Sequence, residues 1–491
     1  MLHSDVEIEK KEDMKKRDIL RLAVVTVGLF LSGGCSDFLE EESQDEVIPK
    51  TVTDFSELLM GSGYPSTAYY PGSILAQLDD DKMLDRDGEN VLGSTGAEEW
   101  FPAFTWQPDL YRRDEGTPLA STEYYMWYER IKGCNAVLDY IDDAIGTQSE
   151  REQVKAEALA LRAYYYFWLV NLYGEPYNYN KEALGVPLKL TSTVQEEVGG
   201  VRNTVKEVYE QILKDLDASA KLFEKYNVVI GNYRMNLPAV KILLSRVYLY
   251  MEEWQNAVNA ANDAIELGRG LTDLTLVDEN VNYCMNSYDV NETVCIFGAR
   301  IDNYSMAYVV SSDLLKLFNS KDRRIGIYII AQYSGGGDFT GWLINKNAAA
   351  GEPGQCLRLA EAYLNRAEAY SRLTGKQSDA LADLNTLRKH RIMDYRDVSI
   401  TDPTALLDTI RKERRLELCY EGHRWFDLRR YGMPEITHIY QESTTSPAMV
   451  YTLKEKDPMY TLPLPSSVMD KNKELVQNAS DKEPLRVGVS M

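Results

Sequence analysis

The chain has 491 residues, 44% of them hydrophobic, and a formal net charge of -22. That length holds two or three domains or one large repeat unit, with apolar residues enough for a sizeable core. The acidic balance argues against nucleic acid as a partner, because phosphate binding needs clustered Lys and Arg; it disfavours anionic polysaccharides more weakly, since local patches override net charge.

Residues 1–34 read as a lipoprotein signal peptide. Met14-Lys15-Lys16-Arg17 is its basic start, and Leu22 to Leu31 is an apolar run too short to span a bilayer. Ser32-Gly33-Gly34-Cys35 resembles a bacterial lipoprotein cleavage site, with Cys35 as the lipidated residue. The plainer alternative is an ordinary signal peptide with an incidental cysteine. Residues 1–13 add nothing to the signal, so Met14 reads as the start. Residues 35–52 form an acidic tether.

The N-terminal region, 53–270, is expected to be helical. Thr53–Met60 and Thr122–Ile145 read as helices, the second with an apolar stripe of Trp127, Ile131, Val137, Leu138 and Ile141. Between them, residues 61–121 form a long aromatic loop rich in Gly, Pro and Asp. Val154–Leu172 and Val205–Phe223 are helical. Pro238–Met251 and Trp254–Leu267 make a helix–turn–helix pair, with small residues at Ala257, Ala260, Ala261 and Ala264. Leu357–Leu373 and Ser378–Lys389 repeat that plan. Paired helices of about a dozen residues with small contact residues are the tetratricopeptide style. The fold class is therefore mostly α, a tetratricopeptide-like repeat scaffold with a loop-rich, partly β insert.

That insert is residues 271–355. Val281–Tyr283, Thr293–Phe297 and Ile325–Ile330 are short apolar runs, strands or loop segments, and Tyr333–Gly354 is glycine-rich around Trp342. Insertions in repeat arrays often form the binding face. The cysteines after Cys35 (Cys134, Cys284, Cys295, Cys356 and Cys419) form no CxxC pair, so neither a disulfide framework nor a zinc site is indicated. A Cys284–Cys295 bridge is left open.

The C-terminal region, 356–491, contains the charged stretch Glu413–Arg430. Glu413, Glu417 and Glu421 stand four apart and would share one helical face. Like charges at that spacing cost a few tenths of a kcal/mol per pair, so cations from elsewhere are expected to meet them. Leu416, Leu418, Trp425, Phe426 and Leu428 argue against a solvated face. The expected arrangement is a half-buried ionic network that includes Arg424, with partners such as Arg358, Arg366 or Arg388.

Several blocks together resemble the SusD/RagB family of outer-membrane nutrient-binding lipoproteins of Bacteroidota. They are Ala156-Glu157-Ala158 through Arg162-Ala163-Tyr164-Tyr165-Tyr166-Phe167 with Tyr173-Gly174, Leu357-Arg358-Leu359-Ala360-Glu361 through Ala367-Glu368-Ala369, Glu413–Arg430, Leu462-Pro463-Leu464-Pro465, and Gln477-Asn478. The chain continues past the point where that family usually ends. The resemblance implies a surface-exposed outer-membrane lipoprotein that binds a glycan, without catalysis, and caps a SusC-like TonB-dependent transporter. Peptide binding is the runner-up; a glycoside hydrolase or a generic repeat scaffold ranks below it. Paired carboxylates could serve a glycosidase, but with 76 acidic residues such pairs arise by chance.

Glycan binding needs aromatic faces and hydrogen-bonding polar groups. Trp342 is the leading ligand-binding residue, followed by Trp100, Tyr283, Tyr288, Tyr111 and Trp106, the last with a structural reading of its own. Asp79, Asp80 and Asp81 could bind calcium, although surface acid is the plainer reading. No other metal or cofactor is expected.

Overall fold

A computed structural model describes residues 49–65, 74–87, 91–111, 122–193, 201–226, 231–278, 283, 285, 287–298, 307–333, 337, 339–346 and 354–491. Cys35, the signal and most of the tether lie outside the described residues, as does Cys284.

Helices supply the frame: α1 (Val52–Leu58), α2 (Thr95–Phe104), α3 (Thr122–Tyr140), α4 (Gln148–Tyr173), α5 (Val205–Tyr226), α6 (Leu237–Tyr250), α7 (Trp254–Leu267), α8 (Leu359–Arg372), α9 (Gln377–Lys389), α10 (Pro403–Leu418) and α11 (Arg424–Arg430). Their starts follow from local chemistry. Thr147 and Glu150 close a capping box on α4, Asn236 caps α6 ahead of Pro238, and Asp402 caps α10 ahead of Pro403.

Antiparallel neighbours α3–α4, α6–α7 and α8–α9 pack into one array, with α5 beside α4 and α10 beside α8. The alanines of α7 are buried, which lets α6 and α8 approach it closely. Helix α4 is the spine, with every residue from Ala156 to Tyr173 buried. An amphipathic helix buries one stripe; one apolar all round is enclosed on all sides. Trp127, Tyr165, Trp168 and Phe426 pack against one another there.

The strands are short: β1 (Lys82–Leu84), β2 (Thr293–Phe297), β3 (Tyr308–Val310), β4 (Ile329–Tyr333), β5 (Phe339–Ile344), β6 (Gln355–Arg358), β7 (Ile436–Tyr440), β8 (Met449–Leu453) and β9 (Val489–Ser490). They pair antiparallel as β1–β3, β2–β6, β4–β5 and β7–β8–β9. The residues past the expected family ending thus add a third strand to the last sheet.

Three expectations change. The long loop contains α2 and β1 rather than irregular chain alone. The glycine-rich part of the insert folds as the β4–β5 hairpin, whereas Ile325–Ile330 contributes only its last two residues to a strand. The Glu413–Arg430 stretch is two helices: Tyr420 (φ 61°) and Gly422 (φ 79°) take left-handed backbone and end α10 before α11 begins. Glu421 therefore leaves the helical face of Glu413 and Glu417.

Candidate functional site

The acids of α10 are held by cations from four other segments. Glu417 accepts from Arg358 at 2.5 Å, Tyr328 at 2.9 Å, Arg324 at 3.0 Å and Arg391 at 2.9 Å. Arg358 also donates to Glu421 at 2.6 Å and to Glu292 at 2.8 Å, and Lys346 reaches Glu421 at 2.6 Å. Glu413 takes Arg388 at 2.6 Å and lies 2.7 Å from Arg324, which also grips Asp322. The acids Glu292, Asp322, Glu413, Glu417 and Glu421 thus meet Arg324, Arg358, Arg388, Arg391 and Lys346 in equal number. Burial raises the Glu417 pKa, and Arg391, Arg358 and Arg324 overcome it, holding the carboxyl well below its usual value. A carboxylate so fixed and so acidic is a poor proton carrier, and the cluster is architecture. Arg366 stands apart, paired with Asp383 at 2.6 Å.

Arg424 faces the other way. It donates to both oxygens of Asp80 at 2.6 and 2.8 Å, while Arg415 reaches Asp81 at 2.7 Å and the Tyr420 hydroxyl donates to the Asp81 carbonyl at 2.6 Å. The ligand atoms of Asp79, Asp80 and Asp81 lie within 4.8 Å of one another, the spacing of a metal site. Guanidinium forks occupy the direction from which a cation would approach Asp80, so the residues present fit an arginine clamp better than calcium.

Two aromatics proposed as ligand contacts are core residues. Trp106 is fully buried, donates its indole N–H to the Leu78 carbonyl at 2.9 Å and stacks on His438. Tyr111 is buried with its hydroxyl 3.0 Å from that of Tyr173. Neither ring has a face to offer. Trp100 is half-buried against two hydrophobic clusters. Tyr283 is half-buried beside the cluster that supports Trp342. Tyr288 is partly exposed, and its carbonyl accepts from Asn232 at 2.7 Å.

Trp342 sits on β5, opposite Ala331 of β4. One part of its ring packs on the cluster around Leu314, Tyr328 and Leu416. Beside it stand Phe339, with ring centroids 5.6 Å apart, and Tyr333, 6.1 Å from Phe339. Phe339 is 53% exposed and Tyr333 62%. Apolar rings left in water are notable when contiguous. Trp342 also lines a cleft of about 440 Å³ with Phe318, Lys321, Arg323 and Met393. Tyr333 is among the aromatics the insert offers by sequence; Phe339 was missed as a ligand residue because the register that joins the two strands carries a β-bulge between Gln332 and Tyr333. Cys295 is a buried thiol donating to the Arg234 carbonyl at 3.2 Å, and Cys284, its partner in the bridge left open above, lies outside the described residues.

Among the described residues no helix is long and apolar enough to cross a membrane. Residues 37–249 match a family model described as starch-binding and associating with the outer membrane, and residues 299–480 match the SusD family. SusD-like protein P38 of Formosa agariphila is 26% identical over 64% of this chain and 73% of its own length. A SusD-like carbohydrate binding protein from Bacteroides vulgatus superposes with a TM-score of 0.65 at 21% identity, covering 89% of this chain and 99% of that one. A laminarin binding SusD-like protein superposes with a TM-score of 0.59 at 21% identity, covering 87% and 96%. The helical array, the two family blocks and these likenesses lead to one assignment: the chain belongs to the SusD/RagB family.

Proposed function

We propose that this protein binds an extracellular oligosaccharide or polysaccharide, without catalysis, and hands it to a SusC-like TonB-dependent transporter. Lipidated Cys35 would hold it on the outer-membrane surface. The observation that carries the reading is the aromatic group of exposed Tyr333 and Phe339 beside half-buried Trp342 on a hairpin of the insert. Sugar rings present flat C–H faces to aromatic side chains, and the neighbouring cleft supplies polar groups for hydroxyls. The laminarin-binding relative supports a glycan as the ligand class. The buried carboxylates Glu413, Glu417 and Glu421 are committed to cations, which leaves little for a glycosidase reading.

Calorimetric titration against panels of neutral glycans and peptides tests this. Glycan binding is expected, weakened roughly tenfold or more by Phe339→Ala or Trp342→Ala, as loss of a stacking contact worth about 1.5 kcal/mol implies. Binding of peptides alone would sink the glycan reading. Release of reducing ends from a glycan would revive the enzyme reading.

A further inference from the structure

A second cleft, of about 660 Å³, shares no lining residue with the cleft at Trp342. One wall is a face of α2, where Thr95, Glu98, Glu99 and Pro102 recur at helical spacing. The opposite wall is the β7–β8 hairpin with Tyr440, Glu442 and Tyr451. Phe101 joins the walls, its ring 4.6 Å from Tyr440 and edge-on to Tyr451 at 5.6 Å.

The walls are held in place. In the hairpin turn, Gln441 donates to the Ser443 and Ser446 carbonyls at 3.0 Å, and the Ser443 and Ser446 hydroxyls stand 2.7 Å apart. Behind the hairpin, the Gln107 side-chain amide accepts from the Arg486 backbone N–H at 2.8 Å and donates to the Arg486 carbonyl at 3.0 Å, and the Arg486 guanidinium donates to the Thr452 carbonyl at 2.7 Å. Gly488 lies flat on Tyr451, where a Cβ would come within 2.8 Å of the ring. A concavity fixed before any ligand arrives loses little entropy on binding.

Its chemistry is selective. Carboxylates accept hydrogen bonds and donate none, so Glu98 and Glu442 call for a ligand that presents hydroxyls or amines. No Lys, Arg or His is among the described lining residues, and an acid group on the ligand would meet like charge. We infer that this cleft is a second saccharide subsite, for sugar units that carry no acid group. The inference rests on the glycan-binding reading above and adds to it a second contact on the same polymer. Two sites on one body favour long chains over short ones through effective concentration.

Hydrogen exchange of the full chain distinguishes the two readings. The probes are neutral glucan, mannan and xylan hexasaccharides, with a polygalacturonate hexamer as the acidic control. Protection by a neutral probe is expected at residues 95–102 and 440–451 as well as on the Trp342 hairpin. Thr95→Trp fills the cleft from an exposed position and should abolish protection there alone. Protection confined to the Trp342 hairpin would overturn this inference and leave the proposed function standing. Protection confined to the cleft would do the reverse for the hairpin site. Protection at neither would overturn both, and equal protection of the cleft by polygalacturonate would overturn the chemistry assigned to it.

Discussion

Arg358 is fully buried and spends its guanidinium on three carboxylates at once, Glu292, Glu417 and Glu421. Desolvating such a group costs several kcal/mol, and only complete pairing offsets it. Removing one acid leaves the arginines behind, uncompensated in a dry interior. Glu417→Gln is therefore expected to lower unfolding stability by about 3–5 kcal/mol, because Arg324, Arg358 and Arg391 all lose a charged partner. Urea denaturation checks it; an unchanged midpoint would mean the network contributes nothing. The acids of this centre were readable from their spacing, since a like-charged stripe among large apolar residues demands cations. Arg324, Arg391 and Glu292 were not, because nothing in the local text around them marks their place in space.

At the scale of elements, the break between α10 and α11 divides the work of the charged stretch. Glu413 and Glu417 face the insert, while Arg424, beyond the break, joins Arg415 of α10 in fastening Asp80 and Asp81 of the aromatic loop. A continuous helix would carry Arg424 round to a different face. Helix periodicity alone predicts the continuous form; Gly422 is the one residue in the stretch that marks the stop. Arg424→Ala removes both bonds to Asp80, and charged hydrogen bonds of this kind contribute about 1.5–3 kcal/mol. The expected signature is faster hydrogen exchange in residues 79–84, with the α6–α7 pair unaffected. Uniform loosening of the whole chain would show that the clamp is not local. Helix pairs were legible because their apolar and alanine periodicities are local. The β4–β5 platform was not, because its register depends on a bulge and on neighbours far along the chain.

For the whole molecule, ion pairing sets the acid limit of stability. Burial raises the Glu368 pKa, but Arg430, Arg411 and Arg414 outweigh it and hold it at about 2. Burial likewise raises Asp80, and Arg424 and Arg415 bring it to about 2. Both values lie below the ordinary carboxylate range, so the folded state favours the charged form. Their stabilisation is present in full above pH about 4.5 and is lost as pH falls toward 2. For Glu368 that amounts to roughly 3 kcal/mol. Thermal denaturation should show a melting temperature that declines steeply between pH 4.5 and 2, and a flat profile there would contradict the assignment.

The equal pairing inside the ionic centre has a consequence for the space outside the protein. Its charges cancel over a few ångströms, so the net charge of -22 belongs to the remaining residues. Salt screens exposed charge over a Debye length of about 8 Å in physiological solution and hardly reaches buried pairs. Ionic strength should therefore leave the melting temperature nearly constant while changing the rate at which a polyanion approaches. Stopped-flow mixing with an acidic polymer at two salt concentrations would register that difference as a faster encounter at the higher one. The surface field and the interior scaffold answer to different solution conditions.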